Sequence, residues 1–243
     1  MLVAAAVCPC PPLLVPEIAS GAAPELDAAR AACADALGVL AASRPDLLVV
    51  VGSATGDGTG TYRQGTKGSF KGFGVDFGTF LGTADTQESS APVSVANSEL
   101  PPSLAVGAWL LSRTRWDAPV EGLHVGERLA GVQCAQEGRE LAARAERVAL
   151  LVMGDGSACR TLKAPGYLDE RAEGFDTAAA RALGAADTAA LAALDEALAY
   201  ELKAAGRAPW QVLAGAAEGA GLDGKLLYED APYGVGYFVA VWS

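Results

Sequence analysis

A layered α/β fold is predicted by three observations: three short continuous apolar runs, Ala-rich amphipathic segments between them, and 51% hydrophobic residues in a chain of 243. The runs at 2–7, 47–51 and 148–153 are bounded by turn-forming residues, as strands buried on both faces are. Segments 24–42 and 132–147 carry Glu, Asp and Arg on one side and Ala, Leu and Val on the other, the pattern of surface helices. Their alternation with the runs predicts helices layered on a sheet. The length is within reach of one hydrophobic core, so a single domain over 1–243 is expected.

In chain order, the opening run lacks a basic n-region and is followed at once by Pro9, Pro11 and Pro12, so it reads as a first strand and not as a secretion signal. After the second run, 52–74 holds eight glycines in 23 residues. That is too long for an ordinary connection and reads as a functional loop or lid. It is not a phosphate loop, because Gly60 and Gly65 are followed by Thr66 and then Lys67, the wrong order for that motif. Nor is it a dinucleotide fingerprint, because Thr61 stands where the third glycine belongs after Gly56 and Gly58. Phe70, Phe73, Phe77 and Phe80 beside this segment either line a cleft or pack a hairpin on the core. Arg63, Lys67 and Lys71 form a small positive spot that either meets an anionic ligand or is a solvated face.

Leu123-His124-Val125 reads as a strand. The third run leads into 160–176, expected to be a surface loop whose mixed charges pair locally, with Arg160 free to fork onto a ligand carboxylate. Residues 176–217 read as short helices, with Asp176, Asp187 and Pro209 as starts and Gly184, Gly206 and Gly219 as stops. Two closing strands, 225–229 and 234–242, flank a turn at 230–233. No internal repeat is present.

A net charge of −11 without a basic cluster argues against nucleic acid and against anionic membrane surfaces. No apolar stretch approaches the roughly 20 residues of a membrane helix, and a soluble cytoplasmic protein is expected. Five cysteines, at 8, 10, 33, 134 and 159, form no disulfide framework and are expected as thiols. His124 is the only histidine. One chain therefore cannot supply a two-histidine, one-carboxylate iron site or a three-histidine zinc site. His124 itself, between apolar neighbours and with no Gly-x-Ser-x-Gly elbow in the chain, reads as a structural residue.

Four segments, in matching order, resemble the B-subunit-like class III extradiol dioxygenases. Val7-Cys8-Pro9-Cys10-Pro11-Pro12-Leu13-Leu14-Val15-Pro16-Glu17 is similar to the family's strand-end motif, with Cys10 at the position of an iron-binding histidine. Asp46-Leu47-Leu48-Val49-Val50-Val51-Gly52-Ser53 is similar to the strand delivering the second, with Ser53 or Ala54 at its tip. Gly154-Asp155-Gly156-Ser157-Ala158 resembles the Gly-Asp-x-Ser-His motif, with Ala158 at the acid/base position. Leu227-Tyr228-Glu229 and Ala231-Pro232-Tyr233-Gly234-Val235-Gly236-Tyr237 look like the closing strand pair, with Glu229 at the carboxylate ligand.

The resemblance implies a layered α/β/α fold around a central, mostly buried mixed sheet, and Fe(II) in the intact family. In this chain Cys10, Ser53 and Glu229 would be vestigial metal positions. No catalytic residue and no cofactor are expected. If the strand ends converge, Cys8, Cys10, Ser53, Asp155, Ser157, Ala158, Arg160 and Glu229 would line one cleft. Three readings follow. One is a non-catalytic protein that binds a small organic ligand or regulates. A second is an oxidoreductase of altered chemistry, holding zinc or copper through Cys10, Asp155 and Glu229; against it, Cys8 and Cys10 also read as buried small hydrophobes. The third is a homo-oligomer or a structural subunit of a partner chain.

Overall fold

The computed structural model describes residues 1–83 and 99–243. The three apolar runs at 2–7, 47–51 and 148–153 all lie in strands. In chain order the strands are β1 (Leu2–Cys8), β2 (Leu47–Ala54), β3 (Thr59–Tyr62), β4 (Lys67–Ser69), β5 (Gly78–Phe80), β6 (Val120–Gly126), β7 (Val148–Met153), β8 (Gly224–Asp230) and β9 (Tyr237–Trp242). The helices are α1 (Pro16–Ala19), α2 (Asp27–Ala42), α3 (Pro102–Ser112), α4 (Gly131–Ala142), α5 (Arg171–Gly184), α6 (Thr188–Ala192), α7 (Glu196–Glu201) and α8 (Arg207–Ala216).

Seven strands make one mixed sheet in the order β3-β6-β2-β7-β1-β9-β8. Its centre, β6-β2-β7-β1, is parallel, and β3, β9 and β8 are added antiparallel at the margins. β4 and β5 form a separate hairpin. Successive strand residues face opposite ways, so each central strand feeds two cores. Ala4, Ala6, Cys8, Leu48, Val50, Leu151 and Met153 pack with α2 and α3 on one face. Val7, Val49, Val51, Leu150 and Val152 pack with α4 to α8 on the other. The layered α/β architecture read from the sequence is therefore present. Helix–helix contact on the second face is close. A Cβ on Gly138 would lie 2.0 Å from the Val212 carbonyl oxygen, and one on Gly215 would lie 2.0 Å from that of Ala135, so α4 and α8 cross backbone to backbone.

Several sequence expectations are corrected. The glycine-rich 52–74 is not one loop, since it contains β3 and β4. Helix 24–42 begins at Asp27, after a 3-10 stretch at Ser20–Leu26, and helix 132–147 ends at Ala142. Asp176 does not start a helix: it lies inside α5, fully buried, whereas Asp187 caps α6 by accepting from the Ala190 amide at 2.9 Å. Gly206 is the N-cap of α8 and not the stop of the helix before it. Phe70 is buried and stacked on Phe77 at 5.7 Å, while Phe73 and Phe80 are exposed, so this stretch packs a hairpin rather than lining a cleft as a set. Lys71 is paired with Asp76 at 3.2 Å. Among the described residues no helix is long and apolar enough to cross a membrane.

Candidate functional site

Parallel β1 and β7 pair Cys8 with Met153, and antiparallel β1 and β9 pair Val7 with Ala240. Carried past the strand ends, the same register sets Cys10 between Asp155 and Tyr237, with each strand about 4.8 Å from the next. The contacts agree. The Cys10 amide donates to Asp155 Oδ1 at 2.8 Å, the Cys10 thiol bears on the same carboxyl, and Tyr237 feels the charge of both. All three face the α2–α3 side of the sheet, as Cys8, Met153 and Val239 do.

Burial sets the chemistry of this row. It raises Asp155 from its ordinary 3.8 to about 7, only partly opposed by the Cys10 amide bond. Burial and then the Asp155 charge push the Cys10 thiol well up, and the same two causes, in the same order, raise Tyr237. Cys8 is raised by a hydrogen bond with the free thiol of Cys33 and by burial. Raised in this way, the Cys8 and Cys10 thiols hold their protons more tightly than a free thiol does.

The remaining candidates divide across the sheet. Ser53 follows Gly52 on β2, and Gly52 pairs with Met153, so Ser53 faces the opposite side from Cys10 and Asp155. Its carbonyl accepts from the Ser103 hydroxyl at 2.7 Å. Glu229 pairs with Phe238, whose side belongs to the α4–α8 core, and it is exposed on the edge strand β8. It does not join Cys10 and Asp155, whereas Tyr228 on the other side of β8 does face them. Ser157 is buried on the α5 side, where its amide and hydroxyl both donate to Asp176, at 2.7 and 2.8 Å. Arg160 is not free for a ligand carboxylate, because it bonds Asp176 at 3.3 Å and lies 3.5 Å from Glu173. Ala158 is buried, its amide donating to Leu202 and its carbonyl accepting from Gly166. Cys8, Cys10, Ser53, Asp155, Ser157, Ala158, Arg160 and Glu229 thus do not line the single cleft expected: they divide between two faces of the sheet, and Ser53 on β2 and Glu229 on β8 are four strands apart. Two cavities of about 670 and 680 Å³ lie elsewhere, without Cys10, Asp155 or Tyr237 in their linings.

His124 sits on β6 at the level of Gly52, three strands from β1 and so roughly 14 Å from Cys8 across the sheet. Its Nδ1 is 2.9 Å from the Tyr62 hydroxyl, and its ring packs on Gly60. Burial lowers its pKa. The residues present do not fit ferrous ion. Of the positions the resemblance assigns to the metal, Cys10 lies on one face while Ser53 and Glu229 lie on the other. Among the described residues no three His, Cys, Asp or Glu side chains are placed to hold a metal.

Sequence reasoning missed Tyr237 and Asp176. An aromatic in a closing strand reads as core, and an aspartate amid helix formers reads as a cap. A two-residue step from Cys8 to Cys10, parallel to that from Met153 to Asp155, was the available signal for the row.

The fold and this row define a layered α/β protein with polar groups gathered at the carboxyl ends of its parallel strands, where such sheets commonly bind ligands. Structural comparison finds the same fold in a solved structure described as "Crystal structure of uncharacterized protein JW3007 from Escherichia coli K12", with a TM-score of 0.58, 17% identity and 99% of each chain covered. At that identity the likeness is one of fold. No family model and no curated protein matches the chain.

Proposed function

We propose that this chain is an extradiol-dioxygenase-like protein without an iron centre, which binds a small organic molecule at the carboxyl ends of β1, β7 and β9 and does not cleave it. The observation that carries this reading is the pairing of Cys10 with Asp155. At the strand end where the resembled family holds iron, these two groups satisfy each other, and among the described residues no cluster of three His, Cys, Asp or Glu side chains surrounds them. A partly buried carboxyl near its midpoint at neutral pH serves as a hydrogen-bond donor for a ligand as readily as it serves as an acceptor.

Metal analysis of protein purified without a chelating tag tests the reading. The expected result is substoichiometric iron, zinc and copper, unchanged in Cys10→Ser and Glu229→Ala. Stoichiometric metal that either substitution removes would instead favour an oxidoreductase of altered chemistry.

A further inference from the structure

The cavity of about 670 Å³ lies between α2 and α3, beside the β4–β5 hairpin, and has a volume usual for a small-molecule site. Helical spacing builds its two long walls. Arg30, Ala34 and Leu37 recur at i, i+4 and i+7 on α2, while Trp109 and Arg113, the C-cap of α3, stand one turn apart. Leu37 and Leu110 are buried beneath and give an apolar floor. On the hairpin side one face of the Phe77 ring stacks on Phe70 at 5.7 Å, and the rest of this half-buried ring lines the cavity.

The charged groups of the lining differ in what already holds them. Arg30 is engaged, donating to the Leu14 carbonyl at 3.1 Å and to Asp27 at 2.7 Å. Arg113 is positioned but not engaged: its guanidinium lies 5.1 Å from the centroid of the Trp109 ring, and among the described residues it makes no hydrogen bond and no ion pair. Its side chain is not needed to cap α3, because the Ser112 hydroxyl donates to the Trp109 carbonyl at 2.7 Å and the Arg113 and Thr114 amides donate to those of Leu110 and Leu111. Glu17, exposed on the four-residue α1, also has no ion pair among the described residues, but nothing orients it.

We propose that this cavity binds a flat aromatic carboxylate, with the ring against Phe77 and Ala34 and the carboxylate forked by Arg113. A guanidinium resting on an indole face is already ordered and keeps its planar fork for a carboxylate, so little freedom is lost on binding. Charge-assisted pairs of this kind are about twice as strong as neutral hydrogen bonds. The open face of Phe77 suits an offset-stacked ring. Glu17 across the cavity repels a second negative group, which makes the ligand a monoanion. The site shares no residue with the strand-end row and does not rest on the functional reading above.

Calorimetric titration with naphthoate tests this, with naphthylmethanol and naphthylmethylamine as matched neutral and cationic probes. Naphthoate is expected to bind about tenfold more tightly than either. Arg113→Gln should lose about tenfold for naphthoate and nothing for naphthylmethanol, with a melting temperature lowered by no more than about 4 °C. Ala34→Trp, a substitution at an exposed position of the α2 wall, should fill the cavity and weaken naphthoate and naphthylmethanol alike by at least about tenfold. Absence of saturable naphthoate binding, equal affinity for the acid and the alcohol, preference for the amine, or naphthoate binding unchanged in Arg113→Gln or in Ala34→Trp would each overturn the proposal.

Discussion

Asp176→Ala is expected to destabilise the fold by about 3–5 kcal/mol, the usual cost of removing one partner from a buried charged network. The carboxylate is fully buried and accepts from the Ser157 amide at 2.7 Å, the Ser157 hydroxyl at 2.8 Å and Arg160 at 3.3 Å. Gly156 and Gly236 close over it: a Cβ on either would come within 2.7 Å of its oxygens. Alanine would leave the two Ser157 donors buried without acceptors, and Arg160 would keep only the exposed Glu173. For a chain of this size the loss corresponds to roughly 10 °C in melting temperature. Asp176→Asn, which retains one acceptor oxygen, should lose markedly less. A loss below about 1 kcal/mol in Asp176→Ala, by denaturant titration, would mean that this carboxylate does not pin the loop after β7.

The second large effect is a stability that declines as pH rises across neutrality. Asp155 has a folded pKa of about 7 against an ordinary value of 3.8. The folded state therefore holds more protons between those values. Its contribution is fully present below about 3.8 and is lost as pH climbs through about 7. At full effect the interval corresponds to roughly 4 kcal/mol, and the partial exposure of Asp155 reduces it to the order of 1–3 kcal/mol. Asp176, raised by burial in spite of its three bonds, acts in the same direction. His124, lowered by burial, acts oppositely: its contribution is present above 6.5 and is lost as pH falls. Denaturant midpoints from pH 4 to 8 should fall for the wild type, with most of the slope removed in Asp155→Asn. A variant with the wild-type slope would place the titrating group elsewhere.

How much of this was legible in the sequence depends on how each residue signals its environment. β1, β2 and β7 were readable because strands buried on both faces admit no polar alternation. α3 was not read: Ser103, Leu104, Val106, Trp109 and Leu110 are all buried, and a helix apolar all round has no stripe to reveal its period. β3 and β4 were hidden by their own glycines, since Gly60 is needed where the His124 ring packs and Gly68 where Ala105 does. Cys10 and Asp155 were found as candidates, but their neighbours were not. Motif order along the chain brings residues to the same strand ends without saying which face each one takes, and a one-residue step from Gly52 to Ser53, or from Tyr228 to Glu229, reverses the face. Three-dimensional register supplied what the linear motifs lacked: Tyr237 abreast of Cys10, and Glu229 turned away.

The central claim is that the strand-end row binds without oxidising. The most direct measurement is oxygen uptake, together with formation of ring-opened product, when the purified protein is given catechol and Fe(II). The account predicts no turnover above the protein-free control at any pH between 6 and 9. Ring opening that requires both the protein and added Fe(II) would contradict it.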